Sequence, residues 1–529
     1  MEIFEIVIAL LLGGAGLAAL ARRMATPYPA LVAVAGAGLA LVPRVPTVTL
    51  DPELALALFV APVLLDAAFD APQRDLRANW RPVVSLALGA VVLTVAIVAI
   101  VVKWLAPGIP WAAAIALGAI VAPPDAAAAT AVLKQLRPPH RLLVILEGES
   151  LFNDASALLI YRIAVAAAVT GFLSGWTLVP TVLIVTLGSV LLGYVLSWGM
   201  AWTIGRIQDV STAVIVQFCT TFGVWLLAER LHLSGILTMV VYAMAVSRRA
   251  ADTVPARIRI PSYAVWEVAV FVLNVLAFIL VGFQLRSIVL RLERAAWTEY
   301  GIVAGAVTLA TILARILWVH GAAAVSRWWC RERPQDQGVG LSPKAATVVG
   351  WCGMRGTVTL AAALALPAAF PFRDLILVTA FAAVLGTLVV QGMTLRPLLE
   401  RLNLEDDGEV EHEVRLARVE TLRAALAASA ECPGADTAEL VRRRYEVLLR
   451  RAETELTKGK PVDGNGDDES TEMWRALNAD AEVIRVATAA ERQRLVAMRN
   501  DGTIGDAAFQ LVEQELDWEE LDLQQLVRA

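Results

Sequence analysis

The chain has 529 residues, 58% hydrophobic and 18% charged, with a mean hydropathy of +0.64 and a formal net charge of −5. A soluble domain of this size needs more polar residues to cover its surface, so that class is excluded. The four cysteines, Cys219, Cys330, Cys352 and Cys432, have neither metal-ligand nor disulfide spacing and are read as packing residues.

The apolar residues come in blocks. Runs such as Val83–Val102, Thr177–Trp202 and Gly301–Val325 match the roughly 20 residues that a helix needs to cross about 30 Å of hydrocarbon. The alternation of a membrane barrel is absent, so the fold class is an all-α polytopic membrane protein. About 13 spans are expected, with cores at 3–20, 28–43, 54–69, 82–104, 111–134, 142–170, 177–204, 212–229, 234–247, 263–286, 299–325, 345–367 and 374–399. The first run, Ile3–Leu20, lacks a basic leader and is read as span one rather than as a cleavable signal.

Charge divides the chain in two. Residues 1–404 hold 29 of the 45 Lys+Arg and 21 of the 50 Asp+Glu, which leaves 16 against 29 for residues 405–529. The first part reads as a basic-flanked membrane domain and the second as an acidic, soluble helical tail. With the N-terminus outside, loops facing the cytoplasm carry roughly 19 Lys+Arg and outer loops roughly 7. An odd span count then places the tail in the cytoplasm. Within the tail, helices are expected over 405–430, 437–458, 474–500 and 507–525, with a turn-rich linker at 461–469. Its role is read either as regulation or assembly, or as a solvated appendage.

Ionisable side chains within spans are costly, and each calls for an explanation. The densest group lies in spans five and six, as Val121-Ala-Pro-Pro-Asp125 and Glu147-Gly-Glu149-Ser150-Leu-Phe-Asn153-Asp154. Pro123 and Pro124 remove two backbone donors in succession, so span five breaks there. A break at mid-membrane frees carbonyls and a half-helix N-terminus, which is how many transporters build ion sites. Asp125 falls at that break, either as a ligand or as the cap of a half-helix over Ala126–Leu133. In span six, Glu147, Ser150 and Asp154 share one helix face, with Glu149 and Asn153 on the adjacent stripe. A carboxylate at the depth of Asp154 favours either a proton or a cation that replaces its lost hydration, and not both at once. Hard oxygen ligands from Asp154, Asp125, Ser150 and span-five carbonyls, Pro124 among them, suit an alkali cation such as Na⁺.

Arg355, flanked by Gly353 and Gly356 in span twelve, needs an acidic partner, and Glu149 is the candidate for this structural pair. Asp66 in span three is read either as an entrance or secondary ligand or as a charge at a helix end. Glu267 in span ten and Arg315 in span eleven are read as a second structural pair. His320 is read as an interfacial residue rather than a pH sensor.

At these residues the pattern resembles the cation:proton antiporters that include bacterial NhaP-type and animal NHE-type sodium/proton exchangers. The stretches that carry the resemblance are LLDAAFDAPQRDLRANWRPV (64–83), GAIVAPPDAAAATAVLK (118–134), LEGESLFNDASALLIYRIAV (146–165), WEVAVFVLNVLAFILVGFQL (266–285) and GMRGTVTLAAALALP (353–367). The tail segment 499–523 is similar to the C-terminal piece of bacterial members. The resemblance implies a fold of 13 helices with two inverted repeats and separate dimerisation and ion-translocating parts, assembled as a homodimer. It also implies that Asp154 binds the ion and the proton, with Asn153 before it, and that Ser150 and Asp125 add ligand oxygens where broken helices cross. Glu149 would pair with Arg355, and Asp66 would match an acidic position near the cytoplasmic funnel. The Asn-Asp pair marks electroneutral, one-for-one members. Pro124-Asp125-Ala126 stands where members often show Thr-Asp-Pro, and Asp66 where glutamate is common, which leaves the choice among Na⁺, Li⁺ and K⁺ open.

The expectation is therefore an electroneutral Na⁺/H⁺ antiporter of the cell membrane, with no cofactor beyond its transported ions. The alternatives are a K⁺/H⁺ antiporter of the same fold and an ion channel or sensor signalling through the tail. The absence of a filter-like carbonyl motif argues against a channel. No nucleophile–base pair or metal set points to an enzyme.

Overall fold

Hydrocarbon offers a backbone amide no water to bond, so a chain this apolar must satisfy its backbone within its own segments. In the computed structural model the described residues form helices and connecting segments, with no strand among them. The structure describes residues 2–24, 28–40, 54, 56–125, 129–130, 132–133, 136, 138–170, 175–289, 294–331, 341–367, 369–404, 408–431 and scattered positions between 445 and 497. Two compact units divide the chain, Met1–Asp407 and Gly408–Ala529.

The first unit opens with α1 (Glu2–Met24) and α2 (Tyr28–Ala40), then α3 (Ala61–Asp70), which a π-helical turn over Leu56–Val60 leads into. The short α4 (Gln73–Ala78) connects to α5 (Trp80–Leu105) and α6 (Trp111–Val121). Next come α7 (His140–Thr170), α8 (Gly175–Ile204), α9 (Val210–Arg230), α10 (Gly235–Thr253), α11 (Ala256–Val289) and α12 (Arg294–Arg331). Two half-length helices, α13 (Pro343–Trp351) and α14 (Thr357–Leu364), precede α15 (Arg373–Leu402). In the second unit α16 (Glu409–Glu431) falls on the first helix expected in the tail, and the expected elements after it lie largely outside the described residues.

Seven of these helices hold segments long and apolar enough to cross a membrane, in α5, α7, α8, α9, α11, α12 and α15. Ile8–Ala21, Tyr28–Gly38 and Trp111–Val121 are apolar but shorter. Helix starts follow local chemistry. Asp209 caps α9 by accepting the Thr212 N–H at 2.8 Å, and Ser342 caps α13 by accepting the Ala345 N–H at 3.1 Å, with Pro343 at the first helical position.

Two bundles emerge inside the first unit. In one, α2 packs along α11, and α3, α8 and α9 gather around α10. Its core joins Val60, Leu64, Trp225, Met239 and Ile258. In the other, α5, α6, α7, α12 and α15 pack on one another around Val98, Leu117, Ile120, Val307 and Ala380. Gly118 lets α6 lie against α5, since a Cβ there would meet the Val95 carbonyl oxygen at 2.8 Å. Small residues at such contacts let helices approach closely where lipid supplies no hydrophobic drive.

Candidate functional site

The site lies where two interrupted helices meet. Helix α6 ends at Val121, and residues 122–125 leave the helix as the proline pair requires. Of the half-helix expected over Ala126–Leu133, residues 129, 130, 132 and 133 are helical, and the others lie outside the described residues. Span twelve is interrupted as well. Residues 352–356 separate α13 from α14, so the continuous segment expected over 345–367 is two half-helices. The two non-helical stretches touch: the Asp125 N–H donates to the Met354 carbonyl at 2.7 Å. Gly356 is required at this contact, because a Cβ there would overlap the Asp125 carboxylate.

Arg355 is fully buried at the crossing. Its Nε donates to the Val121 carbonyl at 2.8 Å, Nη2 to the Ala122 carbonyl at 3.3 Å, and Nη1 to the Gly353 carbonyl. Its backbone N–H donates to Thr387 Oγ1 on α15 at 3.0 Å. The guanidinium therefore sits on the carbonyl ends of α6 and α13, where unpaired acceptors and the negative end of the helix dipole both favour a cation.

This arrangement corrects the expected Glu149–Arg355 pair. Glu149 instead takes Arg315 of α12 in a bidentate bridge, Nη1 to Oε1 and Nη2 to Oε2 at 2.8 Å. Both side chains are almost wholly buried. Arg315 also donates to the Val349 carbonyl of α13, from Nε at 3.1 Å and Nη2 at 2.9 Å. The physical reason is the break in span twelve. A continuous helix would have left Arg355 in need of an acid, whereas the freed carbonyls satisfy it. The expected Glu267–Arg315 pair falls by the same fact. Glu267 stands exposed on α11, without an ion pair among the described residues.

Asn153 and Asp154 reach the crossing from α7. Asn153 is fully buried, and its Nδ2 donates to the Pro124 carbonyl at 3.3 Å. Its Oδ1 has no hydrogen-bond partner among the described residues. Asp154 is 5% exposed and close enough to Asp125 for the two carboxylates to repel. Among the described residues no donor or cation pairs with Asp154. Ser156 steadies this part of α7 by donating to the Ala87 carbonyl at 2.6 Å and the Asn153 carbonyl at 2.9 Å.

Ser150 lies half-buried one helical turn before Asp154, as does Glu147 a turn earlier. Asp66 is half-buried on α3. His320 is exposed, with Nδ1 at 3.0 Å from the Ile316 carbonyl and Nε2 at 3.3 Å from Thr347 Oγ1. The structure thus gathers Pro124, Asp125, Asn153, Asp154 and Arg355 at one crossing. Sequence reasoning missed Tyr28 of α2, which lies within the electrostatic reach of Asp125. A tyrosine on a distant apolar span gives no local signal of that meeting. It also missed Thr387, although a threonine in an apolar helix facing a neighbour's break was the available clue.

The family model for sodium/hydrogen exchangers, transmembrane, matches residues 6–401. A protein of Mycobacterium bovis described as an uncharacterized Na⁺/H⁺ exchanger is 29% identical over 521 residues, 95% of this chain and 93% of that one. A sodium, potassium, lithium and rubidium/H⁺ antiporter of Bacillus pumilus is 30% identical over 448 residues, 81% of this chain and 66% of that one. The solved sodium proton antiporter of Methanocaldococcus jannaschii superposes with a TM-score of 0.60 at 18% identity, covering 77% of this chain and all of that one, which shows a shared fold. This multi-pass membrane chain belongs to the sodium/hydrogen exchanger family.

Proposed function

We propose that the chain exchanges one Na⁺ for one H⁺ at Asp154, without net charge movement. The observation that carries this reading is a buried carboxylate with no cation among the described residues, near two buried arginines that are already engaged. Arg315 is bound by Glu149 and Arg355 by helix-end carbonyls. Either a proton or a sodium ion then neutralises Asp154, and binding one displaces the other. Asp125, Ser150, the Pro124 carbonyl and Asn153 Oδ1, which has no partner among the described residues, are the oxygens that would complete a hard-cation shell. Asp66 on α3 is proposed as an acidic residue on the approach. Moving the bundle that holds α5, α6, α7, α12 and α15 against the one that holds α2, α3 and α8 to α11 would expose the site to either side in turn. Asp154 alone takes up a proton, so one H⁺ moves for each Na⁺ and the exchange is electroneutral.

The protein is proposed to work as a homodimer in the cell membrane, with its N-terminus outside and the acidic unit in the cytoplasm, and with no cofactor and no catalytic residues. The Bacillus pumilus relative, named for four alkali cations, favours a second reading in which K⁺ is also carried. The test is proton flux in vesicles holding the purified protein and an acid interior, with Na⁺, Li⁺, K⁺ or choline added in turn. Alkalinisation by Na⁺ and not choline, unchanged when the voltage is clamped, is the expected result. Equal responses to Na⁺ and K⁺ would establish the second reading, and proton movement that follows the clamped voltage would overturn electroneutrality.

A further inference from the structure

Helix α8 turns much of its surface away from the rest of the chain, and one end of it carries three rings in register. Tyr194, Trp198 and Trp202 recur every fourth residue along one side and are 49%, 62% and 64% exposed. Rings with a polar tip concentrate where hydrocarbon meets lipid headgroups.

Arginines lie against those rings. The Arg249 guanidinium of α10 is 5.3 Å from the centroid of Tyr194 and 5.1 Å from that of Trp198. Arg206, just past α8, lies 3.9 Å from the Trp202 ring. Ser197, fully buried, accepts from Arg249 Nη1 at 2.9 Å while donating to the Tyr194 carbonyl at 2.6 Å. Arg249 Nη1 also donates to the Ala245 carbonyl at 3.3 Å, and Nη2 to the Tyr194 hydroxyl at 3.4 Å. Arg206 Nη1 donates to the Trp202 carbonyl at 2.7 Å. Arg248, next in the chain, is exposed. Among the described residues no carboxylate pairs with any of the three, and the neighbouring Asp209 is engaged in capping α9.

Snorkelling alone brings an arginine to the membrane surface on a mobile stem. It does not account for a guanidinium fixed by a buried hydroxyl and two ring faces. The contacts above use three of the five N–H donors of Arg249 and one of those of Arg206, which leaves the Nε–H and one Nη2–H of Arg249 and the other donors of Arg206 for in-plane contact with phosphate oxygens. Leu187, Leu191 and Val195, exposed on the same helix deeper in the span, offer an apolar track beside the rings.

We infer that this end of α8 and α10 binds an anionic phospholipid, with the headgroup phosphate held by Arg206, Arg248 and Arg249 and the acyl chains lying along α8. The site is separate from the ion-binding crossing and does not depend on which cation is carried.

The test is native mass spectrometry of the delipidated full chain, titrated with phosphatidylglycerol or phosphatidylcholine. Phosphatidylglycerol is expected to be retained preferentially, and Arg206→Gln with Arg249→Gln to weaken it about tenfold while leaving phosphatidylcholine unchanged. Arg206→Lys with Arg249→Lys, which keeps the charge and loses the fork, is expected to fall in between and serves if the glutamine variant does not fold. Equal retention of the two lipids, or unchanged phosphatidylglycerol retention in a folded variant, would overturn the assignment. So would displacement of phosphatidylglycerol by millimolar inorganic phosphate, which would mark a free-anion site. A variant that loses self-association while retaining the lipid would also overturn it, marking a contact between copies of the chain.

Discussion

Helix α7 carries two buried carboxylates, Glu149 and Asp154, in opposite circumstances. Glu149 is held bidentately by Arg315, and Asp154 has no cation among the described residues. Removing one partner of a buried pair leaves an uncompensated charge and costs about 3–5 kcal/mol. Glu149→Gln is therefore expected to destabilise the protein by about that much, whereas Asp154→Asn removes an unpaired buried charge and should leave stability unchanged or raised. Thermal melts of the two variants in the same detergent check this, and equal losses would contradict it. The same Asp154→Asn variant is expected to abolish sodium-dependent proton flux in vesicles. A double-mutant cycle should find coupling above about 1 kcal/mol between Glu149 and Arg315, and markedly less between Glu149 and Arg355. The sequence pointed to all of these charges but could not assign the partners. Ion pairs form across helices, and hydropathy does not say which faces of distant spans meet.

At the scale of elements, the site depends on helices that stop. The break after α6 was legible because two prolines cannot continue a helix. The break between α13 and α14 was not, since Cys352, Met354 and Arg355 have no such covalent constraint. Gly356→Ala is expected to lower exchange by at least about tenfold, because its Cβ would displace the Asp125 carboxylate. Gly350→Ala, whose Cβ would meet Ile316 at an ordinary 3.6 Å, should be tolerated, and initial rates of both variants decide the matter. A second element contact joins α4 to the start of α7, with His140 Nε2 at 3.0 Å from Asp75 Oδ2 and Arg141 Nε donating to Asn79 Oδ1 at 2.8 Å. Burial alone would raise the Asp75 carboxyl, but hydrogen bonds from His140 and Arg74 outweigh it and hold the group below its ordinary 3.8. A folded-state value below the unfolded one adds stability that is present above 3.8 and lost as pH falls through the lower value. The pair is partly exposed, so Asp75→Asn should cost at most about 1 kcal/mol at neutral pH. That difference from the parent should vanish in melts below the folded value.

For the whole molecule, a cation that binds only the folded state stabilises it by mass action. Sodium at 100 times its dissociation constant would contribute about 2.7 kcal/mol. The melting temperature is expected to rise with Na⁺ at constant ionic strength at alkaline pH, where protons compete least. The rise should be absent in Asp154→Asn. A rise of the same size in that variant would place the bound cation elsewhere.

Composition and hydropathy by themselves determined that this chain is a helical membrane protein with a chemically distinct acidic end, because hydrocarbon permits few backbone solutions. The local sequence also determined the residues that carry charge into the membrane, and the proline break, because both are properties of single positions and their neighbours. Only the tertiary structure decided that span twelve is interrupted, that Arg355 serves helix-end carbonyls, that Arg315 serves Glu149, and that Tyr28 stands near Asp125. The reason is physical: each of these depends on how separate helices pack against one another. A residue's own sequence neighbourhood contains no trace of it.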